Sequence, residues 1–210
     1  MLVLVIVISG AYLLGSIPTG YLVALLRGVD LRAHGSGNIG ATNAFRVLGK
    51  GPGTFVLLAD ALKGSAAVLW MPTLAVRIAG GSPSESLPLI AGVAAILGHN
   101  YTCWLRFKGG KGIATTAGVM ATLVPLGLGI TFAAWLIVFL TTRYVSVASI
   151  AAAIVLPIAT MVTSQNRALW AVALVFGGLA IWRHRGNLQR LRAGTESRIE
   201  FGRKPTPQKP

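Results

Sequence analysis

The chain has 210 residues, with 19 Lys and Arg against 5 Asp and Glu; 11% of residues are charged, 54% are hydrophobic, and the mean hydropathy is +0.70. An ordinary soluble domain carries roughly 25% charged residues and a disordered chain is far less apolar, so the composition excludes both and indicates an integral membrane protein. The single cysteine, Cys103, excludes an internal disulfide framework and any multi-cysteine zinc or iron–sulfur site.

In chain order, residues 1–26 carry no charge before Arg27, enough for a span of about 20 residues. The flanks do not fit a cleaved signal peptide. Further apolar blocks cover 54–76, 87–105, 145–162 and 168–181. The 113–142 stretch reads either as one tilted helix or as two short helices of about 14 residues each, turning near Pro125-Leu-Gly-Leu-Gly129. Charge parity favours two. With the N-terminus outside, loops 27–53 and 106–112 are cytoplasmic, and a hairpin at Pro125 puts Arg143 and the eight Lys and Arg from Arg183 to Lys209 on that side. One long helix would place that basic tail outside, against the positive-inside rule. The expectation is an all-α integral membrane fold of seven transmembrane helices, the two central ones short, with the N-terminus outside and the C-terminus cytoplasmic. Residues 1–182 then form one transmembrane domain and 183–210 a basic tail, of which 203–210, with three prolines, is expected to be disordered. The net charge of +14 needs no nucleic acid, because no recognition motif is present and anionic membrane lipid is the plainer partner.

The most informative segment is His34-Gly-Ser-Gly-Asn-Ile-Gly-Ala-Thr-Asn-Ala-Phe-Arg46. Gly35, Gly37 and Gly40 satisfy G-x-G-x-x-G, but a dinucleotide fold needs a preceding strand and a βαβ unit, and this loop follows a membrane helix. The composition still suits an anion. Glycines let successive N–H groups form a concave nest; Ser36, Asn38, Thr42 and Asn43 add neutral hydrogen-bonding groups, and Arg46 adds a bidentate donor. A second run, Lys108-Gly-Gly-Lys111-Gly-Ile-Ala-Thr115, enters the next apolar segment, where free helix N–H groups and the dipole favour an anion. Just upstream, Gly98-His99-Asn100-Tyr101 ends the third block near the same face. Asp60 and Lys63 lie three apart on one face of the second span, either neutralising each other or lining a polar pocket. His184 and Asn187 are likewise three apart, so one helical face can aim both at the same pocket; Glu196, alone among arginines, reads as their organiser. The three histidines lack metal-ligand spacing, and no G-x-S-x-G elbow or H-x-x-x-x-D acyltransferase signature is present.

Taken together, Ser36-Gly-Asn-Ile-Gly-Ala-Thr-Asn43 with Arg46, the Gly98–Tyr101 and Lys108–Thr115 runs, and His184 with Asn187 and Gly194-Thr-Glu196 resemble the PlsY family of bacterial membrane acyltransferases. The opening Gly15-Ser-Ile-Pro-Thr-Gly-Tyr-Leu22 is similar to that family's first helix, and the resemblance runs to about Arg198. It implies transfer of a fatty acyl group from acyl phosphate to the 1-hydroxyl of glycerol 3-phosphate, giving lysophosphatidate and inorganic phosphate for phospholipid biosynthesis. It also implies no cofactor or metal, a seven-helix fold, and an active site on the cytoplasmic face of the bacterial inner membrane. The soluble enzyme that makes acyl phosphate becomes a candidate partner. On this basis Ser36, Arg46, Lys111 and Asn187 are expected to bind phosphate, with Lys108 and His184 nearby. Gly37, Asn38, Gly40, Thr42, Asn43, Lys63, Asn100 and Thr115 are expected to contribute to substrate binding, the amides of Gly37 to Gly40 to stabilise the acyl oxyanion, and Asp60 and Glu196 to organise the site. His99 is the plausible protein base, although the departing phosphate can take the hydroxyl proton itself. The rival reading is a transporter of phosphate or organophosphate, which would need polar groups reaching the far face; there Arg77, Glu85 and Arg167 are the obvious ionised side chains.

Overall fold

The computed structural model of the chain describes residues 1–199. The stretch 203–210, with Arg203, Lys204 and Lys209, lies outside the described residues. The described part is helical, without a strand: α1 (Leu2–Ser16), α2 (Thr19–Leu25), α3 (Ala41–Leu48), α4 (Lys50–Ala79), α5 (Leu87–Asn100), α6 (Ile113–Leu123), α7 (Pro125–Thr142), α8 (Val145–Thr163), α9 (Arg167–Arg183) and α10 (Arg185–Arg192). Four stretches are long and apolar enough to cross a membrane: Leu2–Leu25, Lys50–Ala79, Pro125–Thr142 and Val145–Thr163. Helices α5, α6 and α9 are shorter, at 14, 11 and 17 residues.

Proline sets two of the breaks. The first apolar run is not one continuous helix: Ile17 leaves the helix with ψ of 113° because the ring of Pro18 crowds the residue before it out of the αR region. The same effect breaks the 113–142 stretch at Val124 (φ −145°, ψ 68°), with Pro125 opening α7. The two central helices are unequal, 11 and 18 residues, in place of the expected two of about equal length. The segment read as loop 27–53 also contains α3 and the first turn of α4, separated by Gly49 at φ +90°.

Small residues let the helices approach closely. A Cβ on Gly118 of α6 would lie 1.8 Å from the Ala61 carbonyl of α4, and one on Gly64 of α4 would lie 2.4 Å from the Thr115 carbonyl of α6. Helices α1 and α5 do the same through Gly15 against Ala95 and Gly98 against Tyr12. Lipid supplies little hydrophobic drive for helix association, so such close packing holds the bundle. One cluster, Val7, Ala11, Ala67, Ala75 and Ala95 among others, joins α1, α4 and α5. Phe176 of α9 closes a second with Val68, Ile96 and Val119, docking α9 against α4, α5 and α6. This docking brings the end of α9, and the tail beyond it, to the end of α5 and the start of α6.

Candidate active site

The first glycine-rich loop is fastened from within. Asn43, buried on α3, accepts from the Ser36 N–H (2.9 Å) and donates to the carbonyls of Leu31 (3.1 Å) and His34 (3.0 Å). Gly35 sits at φ +60°, and a Cβ there would lie 2.3 Å from Asn43 Oδ1, so glycine is needed for both conformation and space. Asn38 Oδ1 accepts from the Gly40 N–H at 2.9 Å, and the Gly37 N–H donates to His34 at 3.0 Å. Two sequence expectations change here. Asn43 is a staple for the loop rather than a group turned to substrate, and the Gly37 and Gly40 amides are engaged within the loop rather than held for an oxyanion. The Asn38 side chain takes the Gly40 amide, as short polar side chains do in turns, and the His34 carbonyl takes that of Gly37.

The second loop is held by the end of α9. Gly109 and Gly110 donate their N–H groups to Asn100 and His99, each at 3.1 Å. The Arg183 guanidinium donates to the carbonyls of Asn100 (3.1 Å), Gly109 (2.8 Å) and Gly110 (3.1 and 2.5 Å). Lys111, next in sequence, donates to Asn187 Oδ1. Asn187 Nδ2 donates in turn to Glu196 (2.7 Å), whose other oxygen accepts from Arg190 Nε at 2.8 Å. The tail carrying Glu196 then returns to the α7–α8 turn, where the Ile199 N–H reaches the Arg143 carbonyl (2.9 Å) and Arg198 Nε the Thr142 carbonyl (3.1 Å).

Cations crowd this region. Burial pulls Lys111 down to about 8; the charges of Arg190, Arg46 and Arg183 push the same way, and Glu196 opposes them. Burial also lowers Arg46, which feels both Glu196 and Arg190, and its buried Nε has no hydrogen-bond partner. His184 is buried and pulled down to about 4, first by burial and then by Lys111. Its Nδ1 lies 2.7 Å from the Ala180 carbonyl, so the neutral ring carries its proton there. Burial pushes the Glu196 carboxyl up, but the hydrogen bonds from Asn187 and Arg190 win and hold it below its ordinary value.

Two open clefts, of about 290 and 190 Å³, share Asn38, Lys111, Arg183 and Gly186 as walls. The smaller adds Ser36, Gly37, Asn187 and Arg190. The structure thus gathers Ser36, Gly37, Asn38, Lys111 and Asn187 from three separate segments, with Arg46 close enough to interact with Glu196 and Arg190. Other expected site residues lie elsewhere. Lys108 is exposed and lines neither cleft, and neither do Gly40, Thr42 or Asn43. Asn100 and Thr115 are buried around the start of α6, with Asn100 Oδ1 and Thr115 Oγ1 lacking protein partners. Lys63 pairs with Asp60 at 2.8 Å and donates to the Ile17 carbonyl, also at 2.8 Å, bracing the α1–α2 break. His99 points Nδ1 at Asp60 (3.6 Å), and a Cβ on Gly110 would lie 2.2 Å from its Nε2, so the ring is packed under the second loop outside both clefts. Arg183, Gly186 and Arg190 were missed from sequence as lining residues. The spacing of Arg183 and Arg190 around Asn187, four residues before and three after, was the available signal.

Fold and site together define a helical integral membrane protein with a cationic, phosphate-suited cleft where its loops meet. The chain matches the model of the glycerol-3-phosphate acyltransferase family over residues 5–194, and it belongs to that family, PlsY. It is 44% identical over 196 residues to the glycerol-3-phosphate acyltransferase of Desulforamulus reducens, covering 93% of this chain and 94% of that one. It is 47% identical over 200 residues to that of Geobacter metallireducens, covering 95% of this chain and 100% of that one. Among solved structures it is similar to the crystal structure of PlsY, an integral membrane glycerol 3-phosphate acyltransferase, in its glycerol 3-phosphate form: TM-score 0.84, 42% identity, 94% of this chain and 96% of that one. The lysophosphatidic acid form gives a TM-score of 0.80 at 41% identity, covering 94% and 95%.

Proposed function

We propose that this glycerol-3-phosphate acyltransferase takes its acyl group from acyl phosphate and transfers it to the 1-hydroxyl of glycerol 3-phosphate, releasing lysophosphatidate and inorganic phosphate. The observation that carries the reading is the charge at the cleft: Arg46, Arg183 and Arg190 gather around Lys111, with Glu196 the one carboxylate acting on it. Both substrates carry phosphate, and arginine and lysine beside small, close-approaching loop residues suit two such groups. Family membership supports the enzyme and not the transporter.

Acyl phosphate is a mixed anhydride with a stable leaving group, so no strong protein nucleophile is required. The hydroxyl oxygen of glycerol 3-phosphate attacks the acyl carbon, the bond from that carbon to the bridging phosphate oxygen breaks, and the departing phosphate takes the hydroxyl proton. Ser36, Lys111, Asn187 and the neighbouring arginines hold the phosphates in line and offset the developing charge. The position of His99, engaged with Asp60 and covered by Gly110, supports this substrate-assisted route over a protein base. We further assign seven crossings with the N-terminus outside, the cleft on the cytoplasmic side of the bacterial inner membrane, and the acyl-phosphate-forming enzyme as a partner. The excess of Lys and Arg in the loops 27–53 and 106–112 and from Arg183 onward supports this orientation.

The test is acyl transfer by the purified protein, with glycerol 3-phosphate offered acyl phosphate or acyl-CoA in separate assays containing EDTA. Lysophosphatidate from acyl phosphate alone, abolished in Arg46→Ala, is expected. Product from acyl-CoA alone would overturn the donor assignment, and binding of glycerol 3-phosphate without turnover of either donor would reopen the transporter.

A further inference from the structure

Arg183 lies at the last position of α9, where a basic residue ordinarily serves as an interfacial anchor. Its surroundings differ from those of an anchor. The side chain is partly buried, and its Nε and Nη2 donate to the carbonyls of Asn100, Gly109 and Gly110, the turn that leads directly into Lys111. A guanidinium has five N–H donors in a rigid plane. The Nε–Nη2 edge is engaged with the loop, and Nη1, with two N–H groups, makes no hydrogen bond among those of the described residues. The same residue forms a wall of both clefts, together with Lys111, Asn38 and Gly186.

We infer that Arg183 is a substrate-phosphate ligand as well as the clamp of the second loop: one edge of its guanidinium fixes the carbonyls at 100, 109 and 110, and Nη1 binds a phosphoryl oxygen in the cleft. This rests on the acyl-transfer reading above. The plane is preorganised by the backbone bonds, so little side-chain entropy is lost when phosphate arrives. The loop bonds also tie the height of Lys111 to that of Arg183, so the two cations meet phosphate as a unit. The shared chemistry is a phosphoryl group, which either glycerol 3-phosphate or acyl phosphate can supply.

The experiment compares the full-length wild type with Arg183→Lys and Arg183→Gln, measuring kcat and KM for each substrate with the other held constant. Lysine keeps the charge and loses the planar fork, whereas glutamine keeps donors for the carbonyls and loses the charge. The expected result is a rise in KM of about tenfold or more for one phosphate substrate in both variants, as loss of a charge-assisted bond implies. The substrate affected identifies the phosphate bound. Wild-type KM values for both substrates in either folded variant would overturn the proposal. A second arm needs no variant: phenylglyoxal modification of Arg183 in the wild-type protein, read by peptide mass spectrometry. Inorganic phosphate or glycerol 3-phosphate is expected to slow it while glycerol does not, and equal modification under all conditions would equally overturn it. Failure of the wild type to make lysophosphatidate would count against the acyl-transfer reading, whereas an active wild type with unaltered variants counts against Arg183 alone.

Discussion

A single amide, Asn43, holds three backbone groups of the first glycine-rich loop, so its removal acts on the loop before it acts on chemistry. Each buried group left without a partner costs about 1–3 kcal/mol. Asn43→Ala is therefore expected to lower the melting temperature in detergent and to slow acyl transfer at least tenfold, with Asn43→Asp, which keeps the acceptor for Ser36, falling between. A wild-type melt and rate in Asn43→Ala would remove the staple from the account. Lys111 supports a second prediction, because burial and neighbouring arginines hold it at about 8. It is charged below that value, so KM for glycerol 3-phosphate should rise as pH passes through 8, and binding there should take up a proton, detectable by calorimetry in buffers of different ionisation enthalpy. Lys111→Arg, charged throughout that range, is expected to flatten the alkaline limb. The linked stability runs the other way. The unfolded chain binds this proton more tightly than the folded one, so the unliganded protein gains stability as pH rises from about 8 toward the ordinary lysine value.

At the scale of elements, the breaks were largely legible and the short helices were not. Pro125 marks the division of the 113–142 stretch in sequence, yet the lengths of 11 and 18 residues follow from where Pro125 sits, at the first position of α7 rather than in a central turn. Pro18 was equally visible, but an uninterrupted apolar composition masks a break that composition alone does not register. Helix α3 has eight residues, below the window in which periodicity is informative. The Asp60–Lys63 spacing left a neutralising pair and a polar pocket both open; the structure forms the pair, and Lys63 also donates to the Ile17 carbonyl at the α1–α2 break. Removing one partner of a buried pair leaves an uncompensated charge costing about 3–5 kcal/mol. Asp60→Asn and Lys63→Met should each destabilise the protein, and the double variant should lose clearly less than the sum of the two in thermal melts, the Ile17 carbonyl still being left without its donor. A loss in the double variant equal to the sum of the two single losses would show that the two charges are not coupled.

At the scale of the whole molecule, the cleft exists because the tail folds back. Asn187 and Lys111 are 76 positions apart, and no spacing rule connects either to the α7–α8 turn on which residues 198 and 199 close. The sequence reading of Glu196 as an organiser named the residue without this route, since the route depends on how α9 docks. The closure gives Glu196 two separable effects on Lys111. Through Asn187 it fixes position, and through its negative charge it raises the affinity of Lys111 for its proton. Glu196→Gln separates them, because the amide oxygen can still accept from Asn187 while the charge is gone. Without the charge, Lys111 should lose its proton below 8, and the rise in KM for glycerol 3-phosphate should begin at lower pH than in the wild type. At pH 6.5, where Lys111 remains charged in both proteins, the KM values should converge. Asn187→Ala is the complementary change: it removes the positional link while leaving Glu196 charged, so it should raise KM at every pH and leave the alkaline limb in place. Coincident pH profiles for wild type and Glu196→Gln would mean that the tail's charge does not reach the cleft, and that its fold-back serves only to close the bundle.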